Sequence, residues 1–362
     1  MPGLIKRLIC GLLGAFICGA GMGCAGNASV PVLEAAAPAP AAVTASAKLK
    51  HTPVPEPEKT AGQPDLTPFT FAWISDTQGY VQNAPETFAA MTHWIVRNRE
   101  RLNIRYVLHT GDVVSLPYDD SQWATATSSL MILKGKLPVF AVAGNHDTGG
   151  TDYSYDRFAH MMNALEYQKY PTYGGGSADG RRRYDLITIG EDDFLLIGCG
   201  YLMTRDDFAW MNQVLDEHAD RTAILLLHYF LDPRSELRLD GWNVYYNVMV
   251  NHPNVRYVFC GHRHNLQRRV IDVDAGMDRT IDWQAYAFLG DYQGFPDNGG
   301  GYIWLFTFDP ARREIRATSY SPTKDDYNYL EDESIETFTL PYLEWKQEEN
   351  DKTEMKPMGG ER

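Results

Sequence analysis

At 362 residues, 44% hydrophobic and 22% charged, the chain has the composition of a globular protein with room for one large domain or two small ones. Its formal net charge of −14 argues against a stable nucleic-acid complex, because no cationic excess exists to displace condensed counterions. A small anionic substrate would have to be met by local positive charge, which bound metal ions can supply.

In chain order, Lys6 and Arg7 followed by apolar residues 8–20 read as an export signal too short for a membrane span. Gly21-Met22-Gly23-Cys24 resembles a bacterial lipobox with Gly21 in place of the usual Leu. Membrane attachment through a lipidated Cys24 is one expectation. Ordinary signal-peptidase cleavage near Ala25 and an uncleaved anchor are the alternatives. Residues 25–66 form an Ala- and Pro-rich linker. The folded domain is expected over 67–330, with a charged tail over 331–362 that holds one partly ordered surface strand. Cys199 and Cys260 are the two cysteines of the body, and their apolar surroundings mark them as core thiols without a bridge.

Apolar periodicity predicts strands at 69–74, 106–109, 139–142, 194–198, 223–227 and 255–260. Helices are predicted at 85–101, 121–133, 206–218 and 242–250. This alternation is an α/β pattern. Four more strands follow at 267–273, 283–289, 302–308 and 315–320, for which antiparallel pairing is the expectation. Residues 149–183 and 286–301 read as loops in which substrate choice would reside.

Short polar motifs close five of these strands, at the edge where an open α/β sheet places its ligands. They are Ser75-Asp76-Thr77-Gln78, Gly111-Asp112, Gly144-Asn145-His146-Asp147, His228 and Gly261-His262-Arg263-His264. Together they collect oxygen and imidazole donors suited to Mn, Fe or Zn rather than a thiolate site. Gly111, Gly144 and Gly261 are expected to turn the chain sharply off its strands.

The order Asp-x-Gln, Gly-Asp, Gly-Asn-His-Asp, His, Gly-His-x-His resembles that of the calcineurin-like metallophosphoesterases. The resemblance implies a four-layered α/β/β/α sandwich and two divalent metal ions. It assigns Asp76, Gln78, Asp112 and His264 to one ion, with Gln78 where a His is usual. The second would be held by Asp112 as bridge, Asn145, His228 and His262. It further implies a bridging water or hydroxide as nucleophile, His146 on the leaving-group side, and Asp147 orienting His146. Small phosphorylated substrates follow, whether monoesters, diesters or pyrophosphates, with diester or nucleotide types favoured by the Gln78 variant. A catalytically silent cell-surface binding protein on the same fold is the alternative.

Outside that set, His109 reads as a packed histidine, and His93, His160, His218 and His252 as bystanders. Arg181-Arg182-Arg183 reads as a solvated face ahead of a phosphate clamp. Arg263 reads as a phosphate contact or a structural ion pair. The Asp291-Tyr292-Gln293 segment reads equally as a cleft-lining loop or a hairpin turn.

Overall fold

The computed structural model describes residues 65–149, 153–343 and 345. The segments read from sequence as an export signal, a lipidated Cys24 and a linker through residue 64 lie outside the described residues, as does the end of the tail. Among the described residues no helix is long and apolar enough to cross a membrane.

The chain opens with β1 (Phe69–Ile74), α1 (Gln78–Asn83), α2 (Pro85–Asn98), β2 (Ile104–His109), α3 (Asp120–Met131) and β3 (Val139–Ala141). It continues through α4 (Asp156–Ala164), β4 (Tyr173–Gly176), β5 (Arg182–Ile189), β6 (Asp192–Cys199), α5 (Arg205–Glu217) and β7 (Thr222–Leu227). Next come α6 (Leu239–Asn247), β8 (Val255–Cys260), β9 (Leu266–Val273) and β10 (Trp283–Gly290). The last strands are β11 (Ile303–Asp309), β12 (Glu314–Ser321), β13 (Asp326–Tyr327) and β14 (Phe338–Pro341).

Two seven-stranded sheets result. The first has the order β13-β12-β11-β1-β2-β3, with β14 also on β12, and the second β4-β5-β6-β7-β8-β10-β9. Period-two alternation decides what each strand face meets. On β1, Phe69, Phe71 and Trp73 enter a core with Phe194 and Leu196 of β6, Phe259 of β8 and Phe306 of β11. Ala72 and Ile74 point the other way, toward Phe88 and Ile95 of α2 and Leu130 of α3. On β6 the alternate residues Leu195 and Ile197 meet Met211 and Leu215 of α5 and Val244 of α6. Three cores therefore separate four layers, helices outside and sheets inside, which is the α/β/β/α sandwich. The inter-sheet core is aromatic, with Phe194 5.8 Å from Phe69 and from Phe71 and 5.6 Å from Phe308 between ring centres.

Three expectations need correction. The later strands are not all antiparallel, because β10 runs parallel to β8 while pairing antiparallel with β9. The segment 149–183 is not one loop. It contains α4 and β4 and runs into β5, whose inward positions carry the buried pair Arg183 and Asp185; a charged pair where apolar residues normally alternate conceals the strand. Nor is the Arg181–Arg183 run a solvated face: Arg181 and Arg182 both bind the buried Asp207 carboxylate. The C-terminal segment supplies β14 to the first sheet and the buried Glu336, which accepts from the Tyr292 and Ser319 hydroxyls at 2.7 Å each.

Candidate metal centre

The parallel pairings β1–β2, β2–β3, β7–β8 and β8–β10 bring six strand ends to one edge of the sandwich. Asp76, Asp112, His262 and His264 have φ of 51°, 54°, 74° and 41°, in the left-handed region that non-glycine residues seldom occupy. Backbone held there concentrates at working sites, where surrounding hydrogen bonds maintain it. Here Asp76 accepts from His262 N–H at 3.0 Å, Asp112 from His146 N–H at 2.9 Å, and Asp291 from His264 N–H at 2.7 Å.

Of the three strand-end glycines only Gly111 has a positive φ, of 102°. Gly144 and Gly261 serve by closeness instead, since a Cβ on either would overlap the carboxylate of Asp112 or Asp76 respectively. A left-handed glycine is thus confined to Gly111, whereas at Gly144 and Gly261 the missing Cβ makes room for the carboxylates.

Asp112, His228 and His262 offer ligand atoms that all lie within 4.8 Å of one another. His228 Nδ1 donates to the Thr110 carbonyl at 2.9 Å, which leaves Nε2 as the inward lone pair of the neutral ring. That Nε2 stands 2.9 Å from Asn145 Oδ1 and 3.1 Å from His262 Nδ1, and Asn145 Oδ1 is 2.8 Å from the same His262 nitrogen. Lone pairs from three side chains therefore converge, an arrangement that a cation or a single proton must stabilise. Without a cation the proton falls on His228: burial opposes it, but the Asp112 charge prevails and holds His228 at about 10. Burial and the His228 charge push His262 down to about 3.

Gln78 and Asp76 adjoin this cluster. Gln78 Nε2 donates to Asp112 Oδ2 at 3.1 Å and to Gln293 Oε1 at 2.5 Å, whereas Gln78 Oε1 is buried without a partner. A buried acceptor left unpaired costs about 1–3 kcal/mol, so this oxygen suits a metal ion. Asp76 is buried, and burial together with the charges of Asp291 and Asp112 raises it well above the usual carboxylate range. Crowded carboxylates, converging imidazoles and an orphaned oxygen make a donor set that fits hard-to-borderline divalent ions. His264 differs, for its side chain is 56% exposed and its Nε2 lies 4.0 Å from Asp291.

Asp147 is not placed to orient His146. Its buried carboxylate accepts the N–H groups of Val113, Val114 and Gly144, pinning the Gly-Asp turn to the Gly-Asn turn. Burial and the Asp112 charge push it up to about 6. The Ser115 carbonyl does the orienting, 2.9 Å from His146 Nδ1. Among the described residues Arg263 forms no ion pair of the expected kind: its guanidinium sits 4.4 Å from the centre of the Tyr229 ring and donates to the Tyr229 hydroxyl. His109 is fully buried, between Thr77 Oγ1 and the Gly111 N–H, as a packed histidine should be.

A sequence profile of calcineurin-like phosphoesterases matches residues 69–266. The chain belongs to this family. Among relatives of this calcineurin-like phosphoesterase, YvnB of Bacillus subtilis is 38% identical over 269 residues, 74% of the present chain but 21% of YvnB. The DNA double-strand break repair protein Mre11 of Archaeoglobus fulgidus is 26% identical, over 76% of this chain and 64% of Mre11. A probable cyclic nucleotide phosphodiesterase of Moraxella catarrhalis is 24% identical, over 56% of this chain and 75% of the relative. The chain thus spans about a fifth of the first relative and under two thirds of the second.

Two residues at the site, Asp291 and Gln293, come from the segment read as either a cleft-lining loop or a hairpin turn, in which neither residue is assigned a part. Asp291 is fully buried beside His264, and Gln293 touches Gln78. The signal was present in Gly290-Asp291, a sixth strand closed by Gly-Asp, but it is readable only once β10 is known to run parallel to β8.

Proposed function

We propose that this protein is a phosphohydrolase working with two divalent metal ions, one held by Asp76, Gln78, Asp112 and His264 and the other by Asp112, Asn145, His228 and His262. The observation that carries the proposal is the convergence of Asp112, Asn145, His228 and His262 beside the unpartnered oxygen of Gln78. Bound divalent ions there would offset phosphate charge and lower the pKa of water toward roughly 7.

The chain's own groups supply the rest. Thr110 and Ser115 fix two imidazoles through their carbonyls: with a cation bound, His228 donates from Nδ1 and offers Nε2 as a ligand, and His146 is held at Nδ1 so that its Nε2, once protonated, can hand that proton to the departing oxygen. Asp147 locks the two turns that carry Asp112 and Asn145 into one rigid unit, which preorganises the donors. Phosphodiesters are the favoured substrates. The Asp-x-Gln variant and the relative described as a probable cyclic nucleotide phosphodiesterase support this choice.

The test is hydrolysis of bis(p-nitrophenyl) phosphate and p-nitrophenyl phosphate by the purified protein, after chelation and again after adding Mn2+. The expected result is turnover abolished by chelation and restored by metal, with the diester preferred. Two bound ions per chain and no turnover of either ester would overturn the hydrolase reading.

A further inference from the structure

Resting on the metal-dependent reading above, we infer that Gln293 is a positioning residue: it fixes the carboxamide of Gln78 so that Oε1, not Nε2, is the atom available to a metal ion. An amide has two ends of similar shape and opposite character, and its neighbours decide which way it lies. Gln78 Nε2 has two acceptors, Asp112 Oδ2 at 3.1 Å and Gln293 Oε1 at 2.5 Å. With Gln293 Oε1 where it lies, rotating the Gln78 amide by half a turn would set its oxygen against both acceptors and lose both hydrogen bonds. The opposite end, Oε1, is buried with no partner.

The two acceptors are not equivalent. Asp112 belongs to the donor set, and lone pairs committed to a cation are not committed to Gln78. Gln293 lies outside that set. It stands on the turn leaving β10, where its own N–H donates to Asp291 Oδ1 at 2.9 Å, while Asp291 Oδ2 accepts the His264 N–H at 2.7 Å. One short turn thereby touches two members of the first metal set, Gln78 through its side chain and His264 through its backbone.

The same loop grips α1 by separate contacts. Tyr80 Oη donates to the Asn298 carbonyl at 2.5 Å and accepts the Gly301 N–H at 2.9 Å, and a Cβ on Gly79 would collide with Asn298. The helix carrying Gln78 therefore stays in place when the Gln293 oxygen alone is removed.

The experiment is calorimetric titration of Mn2+ into the metal-free full chain and its Gln293→Met and Gln293→Glu variants, with thermal unfolding as a check on the fold. Methionine keeps the length and loses the acceptor; glutamate keeps the acceptor. Gln293→Met should weaken one of two Mn2+ sites by about tenfold or more, the usual effect of removing a group that orients a ligand, and leave the other site and Tm unchanged. Gln293→Glu should bind at least as tightly as the original chain. In a Gln78→His background, where no carboxamide needs orienting, Gln293→Met should have no effect. Unchanged affinities in Gln293→Met would overturn the inference, as would equal weakening by Met and Glu, which would assign the effect to loop packing. An original chain that binds no Mn2+ would instead overturn the metal-dependent reading, and the inference with it.

Discussion

The two sheets contribute opposite chemistry to the same site. The ends of β1, β2 and β3 supply only oxygen donors to the proposed metal sets, Asp76, Gln78, Asp112 and Asn145, whereas the ends of β7 and β8 supply only imidazoles, His228, His262 and His264. Neither sheet holds a complete donor set. The shortest contacts of the cluster, Asn145 to His228 and to His262, cross from one sheet to the other. The aromatic core between the sheets therefore sets the distance between donors as well as stabilising the fold.

Removing the donor shared by both sets should break this division most severely. Asp112→Asn keeps an oxygen for the His146 N–H but loses the second anionic oxygen, so hydrolysis should fall by at least about a thousandfold with Tm little changed. Steady-state rates and a thermal melt check this, and an unaltered rate would remove Asp112 from the mechanism. Spoiling the spacer between the sheets should follow. Phe194→Ala empties a position packed between β6 and the first sheet, at a cost of about 3–5 kcal/mol in urea unfolding. Mn2+ affinity should weaken with it; a destabilised protein with undiminished affinity would show that the strand-end turns alone fix the donors.

The smallest effect concerns His109, the imidazole on the oxygen side that is kept out of the site. Burial lowers it from 6.5 to about 3. The unfolded chain thus takes up a proton below pH 6.5 that the folded chain refuses until about pH 3, so stability is full above 6.5 and is lost as pH falls through that window. At about 1.4 kcal/mol per unit, this group should contribute a loss of about 2 kcal/mol between pH 7 and pH 5. His109→Gln should remove that share of the pH dependence of urea unfolding, and identical slopes would show that His109 is charged or exposed in the folded state.

Much of this was legible in the chain. The strand 255–260 coincides with β8, and the five closing motifs fall at strand ends because Gly, Asp and Asn leave an extended backbone readily while apolar β-branched and aromatic residues remain in it. Arg183 and Asp185 were opaque for the converse reason: as charged residues they mimic a surface, and only the bidentate pair they form in the interior lets β5 bury them. The role that the resemblance implied for Asp147 failed because its carboxylate turns to the N–H groups of Val113, Val114 and Gly144, and neighbouring places in the chain say nothing of where a side chain turns.

Sequence by itself determined which side chains stand at strand ends and which chemistry they bring, because local periodicity and turn preference act within a few residues. Only the tertiary structure decided which of them meet. The parallel course of β10 puts Asp291 and Gln293 beside His264 and Gln78, and the packing of one aromatic sheet face on another sets Asn145 against His228 and His262. Those outcomes depend on strand pairing and inter-sheet packing between residues far apart in the chain, information that no local window of sequence contains.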